Sequence, residues 1–136
     1  MQKLILIADD DHDDIDLLTE AILEDRNAYK CVGFSNAHDL LNFLAISIKK
    51  SFIIFIDINM PGINGKECLK RIKSDSRFSS IPVVMCSTSK NPNEIEQCMR
   101  LGADYYFIKP SIWKEWKDEI SKLLKEILYA NISKAV

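Results

Sequence analysis

The sequence predicts an α/β chain, with one parallel five-stranded sheet covered by helices on both faces. Three observations predict it. Short apolar runs recur along the 136 residues, each separated from the next by an amphipathic stretch. The runs are only four or five residues long and are nearly continuous, as strands buried on both faces read. The alternation is strict, run then amphipathic stretch, five times over.

The elements follow in order. Residues 4–8 (LILIA) form a first strand that stops at Asp9. Residues 13–24 carry Ile15, Leu18, Ala21 and Ile22 at helical spacing, with Asp13 or Asp14 suited to the N-cap and first turn. Residues 31–34 are a brief second strand, and 37–45 a helix with Leu40, Leu41, Phe43 and Leu44. Residues 52–56 (FIIFI) are a third strand ended by Asp57. Asn59-Met60-Pro61-Gly62 breaks the pattern as a loop. A helix over 64–73 shows Cys68, Leu69 and Ile72 on one side. Residues 82–86 (PVVMC) are a fourth strand. Asn91-Pro92 starts the next helix, because proline is preorganised for a first helical position. That helix carries Ile95 and Met99 and stops at Gly102. Residues 105–108 are a fifth strand. Trp116, Ile120, Leu123, Leu124 and Ile127 stripe the last helix. Right-handed crossovers leave few topologies, and the flavodoxin-like (βα)5 order 2-1-3-4-5, a three-layer sandwich, suits this length. The domain is expected over 1–129, with 130–136 as a short C-terminal tail.

Composition narrows the function. The formal charge is -2, which argues against a broad nucleic-acid footprint. The lysines near the C-terminus (Lys109, Lys114, Lys117, Lys122 and Lys125) are interleaved with Glu115, Asp118, Glu119 and Glu126, as on a solvated helix face. Cys31, Cys68, Cys86 and Cys98 form no C-x-x-C pair and read as small apolar residues of a reducing compartment. The N-terminal apolar run is too short, and too quickly followed by acids, for a signal peptide. No run approaches membrane-spanning length, so a cytoplasmic location is expected. His12 and His38 have no partners that would make them ligands or bases. Trp113 and Trp116 read as packing residues, with Trp113 an interface anchor if exposed.

Sites in such a sheet form beyond the carboxyl ends of the strands. Asp9, Asp10 and Asp11 follow strand one, Asp57 follows strand three, Ser87 and Thr88 follow strand four, and Lys109 follows strand five. These four strands are neighbours in the expected order, so the acids, hydroxyls and lysine share one crevice. Carboxylates side by side repel, and a cation relieves that. Mg²⁺ (or Mn²⁺) suits the site, because it takes hard oxygen ligands and keeps waters for substrate oxygens. Asp9, Asp10 and Asp57 are the carboxylate ligands chosen from the residues. Asp11 leaves open which two of the triplet face the metal. The backbone carbonyl of Asn59 is placed to complete the shell. A carboxylate can attack phosphorus and form an acyl phosphate, a transfer that needs mainly positioning and charge stabilisation. In that chemistry Lys109 supplies a point charge to one phosphoryl oxygen and Ser87 a hydrogen bond to another.

The ordered set of LILIADDD, FIIFIDINMPGINGKE with its D-x-x-M-P-x-x-x-G, IPVVMCSTS and LGADYYFIKP resembles the response-regulator receiver family, in its single-domain chemotaxis type, over nearly the whole chain. The resemblance implies Asp57 as phosphoacceptor, Asp9 and Asp10 around Mg²⁺, and Lys109 on the phosphoryl group, with Pro110 after a cis peptide bond. It implies Ser87 and Tyr106 as a hydroxyl–aromatic switch, and Asn59 and Thr88 as residues that modulate access. Thr88 stands where the family commonly has a smaller residue. The implied partners are a histidine kinase or phosphotransfer protein and a downstream protein that meets residues 91–128, with no output domain in this chain. A homodimer through the last helix region, a phosphorelay intermediate and a phosphate sink are alternatives. A haloacid-dehalogenase-type phosphatase would need a second acid where Asn59 stands. A flavin module would need a glycine- and hydroxyl-rich loop where ADDDHDD stands.

Overall fold

A computed structural model of the chain describes residues 3–24, 29–47 and 52–135, with side-chain surroundings to residue 130. Five strands and five helices alternate: β1 (Lys3–Ala8), α1 (His12–Ile22), β2 (Tyr29–Phe34), α2 (Ala37–Ile46), β3 (Phe52–Asp57), α3 (Gly65–Ser74), β4 (Val83–Ser87), α4 (Pro92–Arg100), β5 (Tyr105–Ile108) and α5 (Trp113–Ala135). All strand pairs are parallel, in the order β2-β1-β3-β4-β5. The expected topology is the observed one.

The central strand β3 is buried at every position, which is why its sequence is an unbroken apolar run. Side chains alternate across the sheet. Leu4, Leu6, Ile54, Ile56, Val83 and Met85 face one layer, built from α2, α3 and α4. Ile5, Ile7, Ile53, Phe55, Val84 and Phe107 face the other, built from α1 and α5. Trp116 closes that second layer, buried with its ring edge on Phe107 at 5.5 Å.

Asparagine caps three of the helices. The side chain of Asn36 accepts from Asp39 N, that of Asn64 from Glu67 N, and that of Asn91 from Asn93 N. Each such cap is worth about 1 kcal/mol. Pro92 occupies the start of α4 as expected.

Most element boundaries fall within one or two residues of expectation, and three differences have a visible cause. The cap of α1 is Asp11, not Asp13 or Asp14, because the chain is still extended at Asp11 and its carboxylate accepts from Asp13 N and Asp14 N. The strand β2 begins at Tyr29, two residues early, because pairing with β1 starts at Lys3. The helix α5 continues past 129 to Ala135, since nothing in its sequence stops it there. Val136 lies outside the described residues.

At the end of the sheet opposite the Asp57 end, Lys73 ties α3 to the start of β4. Its ammonium donates to the carbonyls of Ser79 and Ile81 and to Asp104 Oδ2 at 2.9 Å. Asp104 Oδ2 also accepts from Val83 N at 2.8 Å. No described helix is long and apolar enough to cross a membrane.

Candidate functional site

The strand ends deliver the site. Ala8 pairs with Ile56, so the residues that follow them, Asp9 and Asp57, meet at the carboxyl edge. Asp57 pairs with Cys86 and Cys86 with Phe107, which brings Lys109 into the same crevice. Parity places the side chains. Asp9, Asp57 and Lys109 share the face of Ile7, Phe55 and Phe107, towards α1 and α5. Ser87 and Tyr106 share the opposite face, towards α4.

Asp9 and Asp57 are buried and Asp10 is exposed. One carboxylate oxygen from each lies within 4.8 Å of the other two. Asp11 is absent from this group because its carboxylate caps α1. Ligands about 2.1 Å from one Mg²⁺ lie up to about 4.2 Å apart, so three hard oxygens at this spacing fit that ion with small movement. The residues present therefore suit the metal that the sequence suggests. Asn59 is exposed and lines the groove beside Asp10, Met60 and Asn64.

Gly65 shapes the floor beneath Asp57. Its N–H donates to the Ile58 carbonyl at 2.9 Å. A Cβ added there would collide with the Asp57 carbonyl oxygen and come 2.7 Å from Ile58 Cα. Only glycine lets α3 start this close to the strand.

Lys109 has 9% of its side chain exposed, and its Nζ lies 2.8 Å from Asp9 Oδ2, 2.8 Å from Asp14 Oδ2 and 2.9 Å from Asp57 Oδ1. The ammonium donates hydrogen bonds to Asp9 and Asp14 and is ion-paired with Asp57. Burial pulls the Lys109 ammonium towards losing its proton, but Asp14, Asp9 and Asp57 outweigh it and hold the lysine charged, well above its ordinary pKa. Burial pushes the Asp57 carboxyl up to about 6, with Lys109 opposing it. Asp9 is raised for the same first reason.

Ser87 is buried and its Oγ accepts from Ser89 N at 3.0 Å. Tyr106 is half-buried against the α2–α3–α4 layer, and its hydroxyl donates to the Ser89 carbonyl at 3.1 Å. Thr88 is exposed beside them. Trp116 Nε1 donates to the Pro110 carbonyl at 3.0 Å, while Trp113 is 36% exposed beside Glu20, Leu23 and Glu24.

One expectation is corrected and one is extended. The Lys109-Pro110 peptide is trans, as are all described peptide bonds; trans is the intrinsically favoured form before proline. Asp14, read from sequence only as suited to the N-cap or first turn of a helix, is a partner of Lys109. The signal lies in the packing of α1. The third residue after the Asp11 cap sits over the sheet face to which Lys109 points.

A three-layer α/β sandwich with acids and a lysine at its strand ends defines a class, and comparison with known proteins names it. The family model for the response regulator receiver domain matches residues 5–121. A two-component response regulator of Oryza sativa subsp. japonica, ORR6, is 31% identical over 107 residues, 78% of this chain and 62% of that protein. The chemotaxis protein CheV2 of Helicobacter pylori is 31% identical over 129 residues, 93% of this chain and 39% of that protein. The matched stretch is thus less than two thirds of either relative. The crystal structure of the phosphorylated cyanobacterial phytochrome response regulator RcpA superposes with a TM-score of 0.83 at 26% identity, covering 90% of this chain and 91% of that one. The chain belongs to the response regulator receiver family. It is a receiver domain of two-component signalling, a signalling module rather than a turnover enzyme for an external substrate.

Proposed function

We propose that Asp57 accepts a phosphoryl group from a histidine kinase or phosphotransfer protein, with Mg²⁺ held by Asp9, Asp10, Asp57 and the Asn59 carbonyl. The observation that carries this reading is the meeting of Asp57 with Asp9, Asp10 and Lys109 at one sheet edge. A carboxylate oxygen of Asp57 bonds to phosphorus as the P–N bond of a donor phosphohistidine breaks, and the electron pair leaves with the imidazole. The metal, when bound, draws off charge from the phosphoryl oxygens and the Asp57 carboxylate. Lys109 neutralises a second phosphoryl oxygen, and the Ser87 hydroxyl donates to a third once it turns from Ser89 N. Asn59 and Thr88 border the opening and set the access of water and small donors.

Ser87 and Tyr106 form the switch in this reading. Both lie on the α4 side and both meet Ser89. Movement of Ser87 towards a phosphoryl group changes what holds Tyr106 and the loop into α4, and so biases a two-state surface over residues 91–128. A downstream protein, or a second copy of the chain, reads that surface. Relay to another protein, or use as a phosphate sink, needs the same chemistry at Asp57. The unit that does this spans 1–129, and four free thiols suit a cytoplasmic setting.

The test is the intact mass of the chain after exposure to acetyl phosphate, with and without Mg²⁺, beside Asp57→Asn. The reading expects one added phosphoryl group that needs both Mg²⁺ and Asp57. A gain that survives Asp57→Asn, or that is the same without the metal, overturns it.

A further inference from the structure

The ammonium of Lys109 has three carboxylate partners, and they are not equivalent. Asp9 and Asp57 belong to the group of acids spaced to hold a metal ion. Asp14 does not, among the described residues. Metal binding therefore draws on two of the lysine's partners, and phosphorylation converts one of them, Asp57, to an acyl phosphate. Asp14 is the one partner that neither event requires.

Its placement is fixed. Asp14 is in the first turn of α1, whose start is pinned by Asp11 accepting from Asp13 N at 2.9 Å and from Asp14 N at 3.4 Å. The helix packs through Leu18, Ala21 and Ile22 on the sheet face that carries Lys109. The carboxylate is 24% exposed on its side chain, so it is held at the rim of the crevice while the ammonium lies inside. Lysine is a long, flexible side chain, and without a fixed partner its head loses one preferred position among several.

We propose that Asp14 is a positioning residue for the phosphoryl transfer, holding the Lys109 ammonium in the crevice while Asp9 and Asp57 turn to the metal and the phosphoryl group. The inference rests on the phosphoacceptor reading of Asp57. In it, one N–H of Lys109 stays on Asp14 throughout, and the side of the ammonium that Asp9 and Asp57 release is already aimed where the phosphoryl oxygens arrive. The contribution is preorganisation: the lysine's position is set before the donor comes. Asp14 touches no reacting atom and holds no metal.

The experiment measures phosphorylation rates by intact mass at saturating Mg²⁺ over a range of acetyl phosphate, for the wild type, Asp14→Ala, Asp14→Asn, Lys109→Met and the Lys109→Met, Asp14→Ala double variant. Asp14→Ala is expected to slow the rate at saturating donor about tenfold, the worth of roughly one oriented hydrogen bond. The half-saturating donor and Mg²⁺ concentrations stay within about twofold of wild type. Asp14→Asn keeps an oxygen that can accept from Lys109, and recovers most of the rate. With Lys109→Met already present, Asp14→Ala changes the rate by less than about twofold, because the residue it acts through is gone. An Asp14→Ala rate equal to or above wild type overturns the inference, as does a tenfold loss that persists in the Lys109→Met background. Should Asp14→Ala fail to fold, Asp14→Leu fills the space and gives the same comparison. A wild type that takes no phosphoryl group overturns the phosphoacceptor reading itself; a phosphorylated wild type matched in speed by Asp14→Ala overturns only the role of Asp14.

Discussion

Lys109 Nζ lies 2.9 Å from Asp57 Oδ1, an ammonium and a carboxylate each less than a tenth exposed on their side chains. In the proposed transfer the phosphoryl group enters between them. Breaking a buried pair by removing one partner leaves an uncompensated charge, at a cost of about 3–5 kcal/mol. Here three acids would lose their shared cation. Lys109→Met is expected to destabilise the metal-free chain by about 2–4 kcal/mol in urea unfolding, and Mg²⁺ to recover part of the loss. A midpoint unchanged by the substitution would mean that the lysine does not neutralise these acids.

The Asp57 carboxyl, pushed up to about 6 by burial, predicts a pH dependence for the metal-free fold. A carboxyl raised on folding keeps its proton in the folded chain to higher pH than in the unfolded chain. Its stability contribution is therefore full below the unfolded value near 4, and is lost as pH rises towards 6. Asp57→Asn removes the buried charge, and should stabilise the metal-free chain above pH 6 by roughly 1–2 kcal/mol, with little gain at pH 4. Thermal melts at both values check it. A gain that is larger at pH 4 contradicts the assignment.

Gly65 has no room for a side chain under Asp57. Gly65→Ala is expected to cost about 2–3 kcal/mol through forced backbone shifts, although alanine favours helices elsewhere. Because the shift occurs at the Asp57 carbonyl, Mg²⁺ affinity should fall with it. Calorimetric titration with Mg²⁺ reads the second effect, and an unchanged affinity would show that the floor can move without moving the acids.

At the opposite edge, Asp104 bridges Lys73 and the first N–H of β4. Asp104→Ala should cost about 1–3 kcal/mol, since it leaves a half-buried donor and an ammonium without their shared acceptor. The phosphorylation rate of the folded variant should match wild type, which separates fold maintenance from chemistry.

Thr88 stands exposed one residue after Ser87, beside the opening. Its β-branched side chain is expected to narrow access. Thr88→Ala should speed both phosphorylation by acetyl phosphate and loss of the group to water. Unchanged rates in both directions would remove Thr88 from the account.

The fold was legible because its strands are central and short. FIIFI and LILIA are apolar throughout since both faces of the sheet are covered, and a helix of that length would show polar positions. The meeting of Asp9, Asp57 and Lys109 followed from strand order alone, since each begins where a neighbouring strand ends. Asp14 was hidden because strand order says nothing of the helix above the sheet. Finding it needs the rotation of α1 as well, and that is fixed only when Leu18 and Ile22 pack. The triplet of acids was ambiguous for a related reason. Asp11 differs from Asp10 only in the direction of its carboxylate, which the start of α1 takes for its cap.

Asp57 is the residue proposed to carry phosphorus. An acyl phosphate is reduced by borohydride to an alcohol, so a phosphorylated aspartate becomes homoserine. Peptide mapping of the chain after acetyl phosphate, Mg²⁺ and borohydride should find homoserine at position 57 and at no other aspartate. Homoserine at Asp9, Asp10 or Asp14 instead, or none in a chain that has gained a phosphoryl group, would contradict it.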